Sequence, residues 1–232
     1  MNFYKYTNKG PRKENEDSLY AEIHYNSVFA FIADGVGGLP FGGEASNFVI
    51  EKFAKNITSK NKQSFKDLLI QTNKEIEDLA IKKLKVDFIA TTFTGLYANT
   101  KRIKGIHIGD SRAILIRNGE IIHLTTDHSE VGRLIRENKI TKKDSKNYFR
   151  KNIIENVLGN KKYFNFMEFD IKAELTDRII LSTDGFYESI TDEVILRISN
   201  KYKSLKEVHR SLIIEIENRI LKDNTSFICI EL

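Results

Sequence analysis

The run Phe29-Ala30-Phe31-Ile32-Ala33, followed at once by Asp34-Gly35-Val36-Gly37-Gly38, constrains this chain more than any other stretch. Five apolar residues in a row, bounded by glycines, read as a strand buried on both faces or nearly so. Such a strand fixes where Asp34 points. The glycines let the backbone turn sharply and bring bare carbonyls and amides close to a neighbour. Taken alone, the stretch fits two readings. One is an ordinary turn, where Asp and Gly are common. The other is a seat for a hard divalent cation, which needs a rigid carboxylate beside exposed carbonyls.

A chain of 232 residues is long enough for a large core, and no Gly/Ser-rich linker or repeat divides it, so a single domain over 1–232 is expected. Thirty-seven basic against thirty-two acidic side chains give a net charge of only +5. No basic stripe interleaved with aromatics accompanies it, which argues against nucleic acid. The single cysteine, Cys229, has no internal partner and falls in an apolar strand, so a reducing compartment and a core role are expected. The first residues lack the apolar stretch of a secretion signal, and no run reaches membrane-spanning length. A cytoplasmic protein without membrane contact is the expectation.

Periodicity orders the rest. Residues 2–7 suit an edge strand, and Asn26-Ser27 a hairpin turn. A helix begins near Gly43, with Ala45, Phe48, Val49, Phe53 and Ile57 inward. Ser64 to Asp67 resembles a capping box, opening a helix with Phe65, Leu69, Thr72, Ile76, Leu79 and Leu84 inward. Period two then predicts strands at 88–99, 102–108 and 113–117, with Asn118-Gly119 turning into 120–124, all joined by short turns and therefore paired antiparallel. Residues 128–162 read as a flap rich in cations, among them Lys142, Lys143, Lys146, Arg150 and Lys151. Strands at 164–171 and 179–182 follow, then a short helix capped at Thr191. A full capping box at Ser204 to Glu207 opens a helix with Leu205, Val208, Leu212, Ile216 and Ile220 inward, before a last strand at 226–230. This order predicts an α+β fold, sheet packed on sheet with helix pairs outside.

Four times an Asp stands at a strand boundary: Asp34, Asp110, Asp184 and Asp223; Glu16-Asp17 adds more acid just after Arg12. If these converge, carboxylates about 4 Å apart repel by roughly 4 kcal/mol at an effective dielectric near 20. Cations must then neutralise them. The donors are all oxygen, with no zinc-type Cys or His spacing, so Mg²⁺ or Mn²⁺ is the fitting metal.

Spacing alone does not establish convergence, but the ordered set does resemble one family. Arg12-x-x-x-Glu16-Asp17, Ala33-Asp34-Gly35-x-Gly37-Gly38, Gly109-Asp110-Ser111-Arg112, Ser182-Thr183-Asp184-Gly185 and Asp223-Asn224 resemble the metal-dependent protein serine/threonine phosphatases of type 2C (the PPM family), in their compact bacterial form. Thr91-Thr92, Leu124-x-x-Asp127-His128-Ser129 and residues 152–159 fit its lesser motifs.

The resemblance implies a four-layer αββα architecture, a central sandwich of two antiparallel sheets flanked by helix pairs, with two metal ions at one end. It implies that Asp34 bridges both ions, that the Gly35 carbonyl, Asp184 and Asp223 are ligands, and that Glu16 serves the second ion directly or through water. Asp17 would order metal-bound water, and Asp110 with Asp184 would hold a third, weaker ion. Arg12 would grip the substrate phosphate with its planar donor fork, and Asn224 would orient its neighbours. The implied reaction is hydrolysis of phosphoserine and phosphothreonine in proteins by a metal-bridging water, opposing a Ser/Thr kinase whose substrates would be its partners. A monomer is expected.

Two departures stand out. Val36 replaces a histidine that many eukaryotic relatives use as a proton donor, and Tyr148-Phe149 replaces His-Pro in the flap. His128 is read as a structural residue at the flap base. The competing readings are a catalytically inactive relative acting as a scaffold and a basic nucleic-acid-binding module.

Overall fold

The structure is a computed structural model that describes residues 1–58, 63–145, 147–160, 162 and 164–232. Lys146, one of the flap cations, lies outside the described residues. Three strands come first: β1 (Asn2–Asn8), β2 (Asp17–His24) and β3 (Ser27–Asp34). Helices α1 (Gly42–Thr58) and α2 (Phe65–Asp78) follow, the second continuing into a π-helical turn at Leu79–Leu84. Then come β4 (Phe93–Ala98), β5 (Arg102–Ile108), β6 (Arg112–Arg117) and β7 (Glu120–His123). The flap carries α3 (Glu130–Arg136) and the single-turn α4 (Lys142–Ser145). Strands β8 (Met167–Lys172) and β9 (Arg178–Ser182) lead to α5 (Asp184–Ser189), α6 (Asp192–Lys201), α7 (Leu205–Glu217) and β10 (Thr225–Glu231).

The strands form two five-stranded antiparallel sheets, in the orders β1-β10-β9-β6-β7 and β2-β3-β4-β5-β8. Side-chain alternation explains how they stack. On β3, Val28, Ala30 and Ile32 point into the layer between the sheets, while Phe29, Phe31 and Ala33 point toward α1 and α2. On β10, Ile228 and Ile230 enter the same central layer, while Phe227 and Cys229 face α6 and α7. The result is helix pair, sheet, sheet, helix pair, as the patterning implies. Both caps form: Ser64 Oγ accepts from Asp67 N at 3.1 Å, and Ser204 Oγ from Glu207 N at 3.3 Å. Asn118 and Gly119 both take positive φ, 52° and 78°, as a two-residue hairpin with right-handed strand twist requires.

The structure differs from the sequence expectation at several points. The strand predicted over 88–99 begins only at Phe93. The residues before it are drawn onto the end of β3 instead, where Val36 N donates to the Ala90 carbonyl at 3.0 Å and Thr92 N to the Asp34 carbonyl at 2.8 Å. The strand predicted over 164–171 is observed at Met167–Lys172. Although adjacent in sequence, β5 and β6 do not pair; they belong to different sheets. Gly109, at φ 107°, turns the chain from one layer to the other. Ile220 is not inward: α7 ends at Glu217, and Ile220 is 93% exposed.

Candidate active site and metal centre

The acidic residues gather at one end of the sandwich because of strand register. Asp17 and Asp34 are opposite each other in the last pair of the β2–β3 ladder. In the other sheet Ser182 faces both Arg112 and Phe227, so the turn into Asp184 lies between the Asp110 corner and the Asp223-Asn224 approach to β10. The two sheets are tied together at this end by Thr183, whose hydroxyl donates to Asp17 Oδ2 at 2.9 Å. Asn224 anchors the segment from Lys9 to Glu16. Its Nδ2 donates to the carbonyls of Lys9 (2.8 Å) and Glu14 (3.0 Å), and its Oδ1 accepts from Glu16 N at 2.8 Å.

Two glycines are required by close approach. A Cβ on Gly35 would lie 2.4 Å from the Gly42 carbonyl carbon, and one on Gly185 would lie 2.0 Å from the Asn224 carbonyl oxygen. Any side chain at either position would push apart the loops that carry Asp34, Asp184 and Asp223.

These loops surround a cavity of about 180 Å³. Of the nine predicted site residues, Arg12, Glu16, Asp34, Gly35, Asp110, Asp184, Asp223 and Asn224 line it. Asp17 does not. It is buried behind the wall, and its Oδ1 has no hydrogen-bond partner. Seven lining residues lie beyond those predicted, of which Val36 and Gly37 follow Gly35 in the same loop. Lys151, Asn152 and Ile154 come from the flap, and Tyr187 and Glu188 from α5. The α5 pair was findable, since a helix starting at Asp184 puts positions i+3 and i+4 on the same face as Asp184. Reading Thr183-Asp184-Gly185 only as the end of a strand concealed it.

Six lining carboxylates oppose two lining cations. Both cations are engaged: Arg12 Nη2 donates to Asp223 Oδ2 at 2.5 Å, and Lys151 Nζ to Glu188 Oε1 at 2.9 Å. Burial raises the Asp17 carboxyl to about 7, and Asp184 and Asp223 add to the rise against the hydroxyl bonds it accepts. Burial and then Asp223 lift Asp184 to about 6. Asp34 and Asp110 are held well above the ordinary carboxylate range, first by burial and then by neighbouring aspartates, Asp17 and Asp184 for Asp34 and Asp184 for Asp110. Glu16 is raised too, chiefly by burial. An array like this lacks positive charge.

The residues present fit divalent metal ions. Every donor is oxygen, one buried carboxylate oxygen is orphaned, and the carboxylates destabilise one another. Among the described residues no three of His, Cys, Asp or Glu close into a finished ligand group; the carboxylates stand around a cavity instead. That spacing suits Mg²⁺-like ions, which bind through few carboxylates and keep much of their water.

The rear of the site is braced. Arg112 donates to both oxygens of Asp127, at 2.9 and 2.6 Å, and its guanidinium lies 3.5 Å over the ring of Tyr187. His128 N donates to the Gly109 carbonyl at 2.7 Å, and its Nδ1 accepts from Gly109 N at 3.3 Å. These bonds support its expected structural role at the flap base.

An acidic, oxygen-only cavity of this kind fits the metal-assisted hydrolysis of phosphate esters. The protein phosphatase 2C family model matches residues 12–223. The chain belongs to that family. It is 27% identical to the serine/threonine phosphatase stp of Listeria welshimeri, over 95% of this chain and 91% of the relative. The structure of the serine/threonine phosphatase PstP/Ppp of Mycobacterium tuberculosis is similar with a TM-score of 0.88 and 25% identity, covering 100% of this chain and 98% of that one. A PstP catalytic domain solved with two manganese ions gives a TM-score of 0.83 and 26% identity, covering 98% and 96%.

Proposed function

We propose that this chain is a metal-dependent protein phosphatase that hydrolyses phosphoserine and phosphothreonine monoesters. The observation that carries the reading is the gathering of Glu16, Asp34, Asp110, Asp184 and Asp223 with Arg12 around one cavity. In this reading Asp34, the Gly35 carbonyl, Asp184, Asp223 and Glu16 would hold two Mn²⁺ or Mg²⁺ ions, and Asp110 with Asp184 would hold a third. When bound, such ions acidify water into a nucleophile at neutral pH and offset charge on the phosphoryl oxygens.

The protein's own groups do the rest. Arg12 is 49% exposed at its side chain and bonds Asp223 through one nitrogen, which leaves donors of its fork for a substrate phosphate. Asp17, behind the wall and tied to Thr183, links the β2–β3 end of one sheet to the turn into Asp184 in the other. Asn224 fixes the Glu16 and Asp223 segments. Among the described lining residues there is no histidine, and Val36 has no ionisable proton; in this reading water supplies the proton to the leaving serine or threonine oxygen.

We further read residues 1–232 as one catalytic domain with its flap at 128–162, working as a monomer in the cytoplasm against a Ser/Thr kinase. The shared layer of side chains between the sheets supports the single domain. No helix among the described residues is long and apolar enough to cross a membrane. The test is release of phosphate from a phosphothreonine peptide with Mn²⁺, abolished by EDTA. Well-folded protein that releases none would favour an inactive scaffold, and tight salt-sensitive nucleic-acid binding in its place would favour the basic module.

A further inference from the structure

A second cavity, also about 180 Å³, adjoins the acidic one, and Glu188 and Asp223 line both. Its other walls include Arg219, Ile220 and Lys222, in the segment between α7 and β10. The charges of this cavity are unevenly committed. Glu188 is paired with Lys151, and Asp223 with Arg12. Among the described residues the Arg219 side chain is paired with Glu215 alone, at 3.6 Å, and Glu215 is already bonded to Arg197 at 2.8 Å. Lys222 is exposed and makes no hydrogen bond or ion pair among the described residues. Ile220, almost wholly exposed, stands between the two cations. A pair of weakly engaged cations beside an apolar contact therefore borders this cavity, together with Glu188 and Asp223, which are paired with Lys151 and Arg12.

We propose that this second cavity is a substrate subsite that takes an acidic side chain next to the phosphorylated residue. The inference rests on the phosphatase reading above and deepens it by naming a substrate class. Arg219 and Lys222 line this second cavity and offer charge complementary to an acidic side chain. Ile220 supplies an apolar surface for the stem of the bound side chain. Specificity for acidic phosphopeptides then comes from the α7–β10 segment, outside the metal ligands.

The experiment uses the full chain with Mn²⁺ and three phosphothreonine peptides, flanked by alanines, by glutamates on the N-terminal side, or by glutamates on the C-terminal side. One glutamate peptide should show a KM about tenfold below the alanine peptide, with the advantage shrinking as salt rises. The double variant R219E/K222E should reverse the order, and R219A/K222A should abolish it, while kcat for the three peptides moves together. A wild-type enzyme with equal KM for all three, or a preference that survives charge reversal in a variant of unchanged Tm, would overturn the subsite while leaving the phosphatase reading intact. Failure of wild-type protein to hydrolyse any of the three would overturn that reading, and the subsite with it.

Discussion

Asp184 sits where a strand becomes a helix, and burial and Asp223 raise it to about 6. Replacing it with Asn keeps the shape and removes the charge. Asp184→Asn should lower kcat by about a thousandfold or more at saturating Mn²⁺, with an unchanged circular dichroism spectrum; retained turnover would remove Asp184 from the ligand set. Arg12 differs because it contributes binding rather than charge balance deep in the cavity. A charge-assisted hydrogen bond is worth about 1.5–3 kcal/mol. Arg12→Ala should therefore raise KM for phosphopeptide roughly tenfold to a hundredfold and lower kcat much less, and an unchanged KM would place Arg12 away from the phosphate. The places of these residues at strand boundaries or after a turn were legible locally, but that they share one cavity was implied only by the resemblance of the ordered set to the family. Asp17 shows the limit. Spacing puts it beside Glu16, but only the β2–β3 register turns it behind the cavity wall.

At the level of elements, β3 is held by packing on both faces. Phe31 is fully buried and meets Phe53 at 5.5 Å, Phe65 at 5.6 Å and Phe93 at 6.0 Å between ring centroids. Phe31→Ala should cost about 3–5 kcal/mol in urea unfolding and weaken metal binding as well, because it loosens the strand that aims Asp34. A loss below about 1 kcal/mol would show that the aromatic cluster does not hold β3. The strands and capped helices were readable because period two, period 3.6 and Ser-x-x-acid are local signals. The change of sheet between β5 and β6, the recruitment of residues 89–92 to the end of β3, and the flap's Lys151, Asn152 and Ile154 were not. Each depends on contacts between segments far apart in sequence, which periodicity does not encode. Ile220 was misassigned for a simpler reason: its spacing continues the α7 stripe, but the helix stops three residues earlier.

For the molecule as a whole, metal binding is linked to stability. Ions that bind only the folded chain add about 2.7 kcal/mol at a hundredfold excess over Kd. For a domain of this size that corresponds to a rise in Tm of roughly 5–10 °C, which calorimetry with and without EDTA would measure; an unchanged Tm would argue against a metal centre. A second linkage concerns His107, which is fully buried. Its Nδ1 lies 2.8 Å from Thr94 Oγ1 and its Nε2 3.2 Å from the Thr126 carbonyl, a setting for the neutral ring with its proton on Nε2. Burial, and then His128, push its pKa down to about 3 from an ordinary 6.5. The unfolded chain therefore binds a proton that the folded chain refuses as pH falls through that window. The contribution of His107 is complete above pH 6.5 and shrinks by roughly 2 kcal/mol at pH 5. Because the site aspartates titrate in the opposite sense, the check is a difference: wild type should lose more stability than His107→Gln between pH 7 and 5, and parallel losses would contradict the assignment.

Arg112, gripped by Asp127 and lying flat on Tyr187, fastens the root of the flap to the floor of the cavity, whereas Phe149 near the tip is 87% exposed. A loop pinned at its base by the Arg112–Asp127 pair can exchange Phe149 without disturbing that brace, so the two ends can change independently.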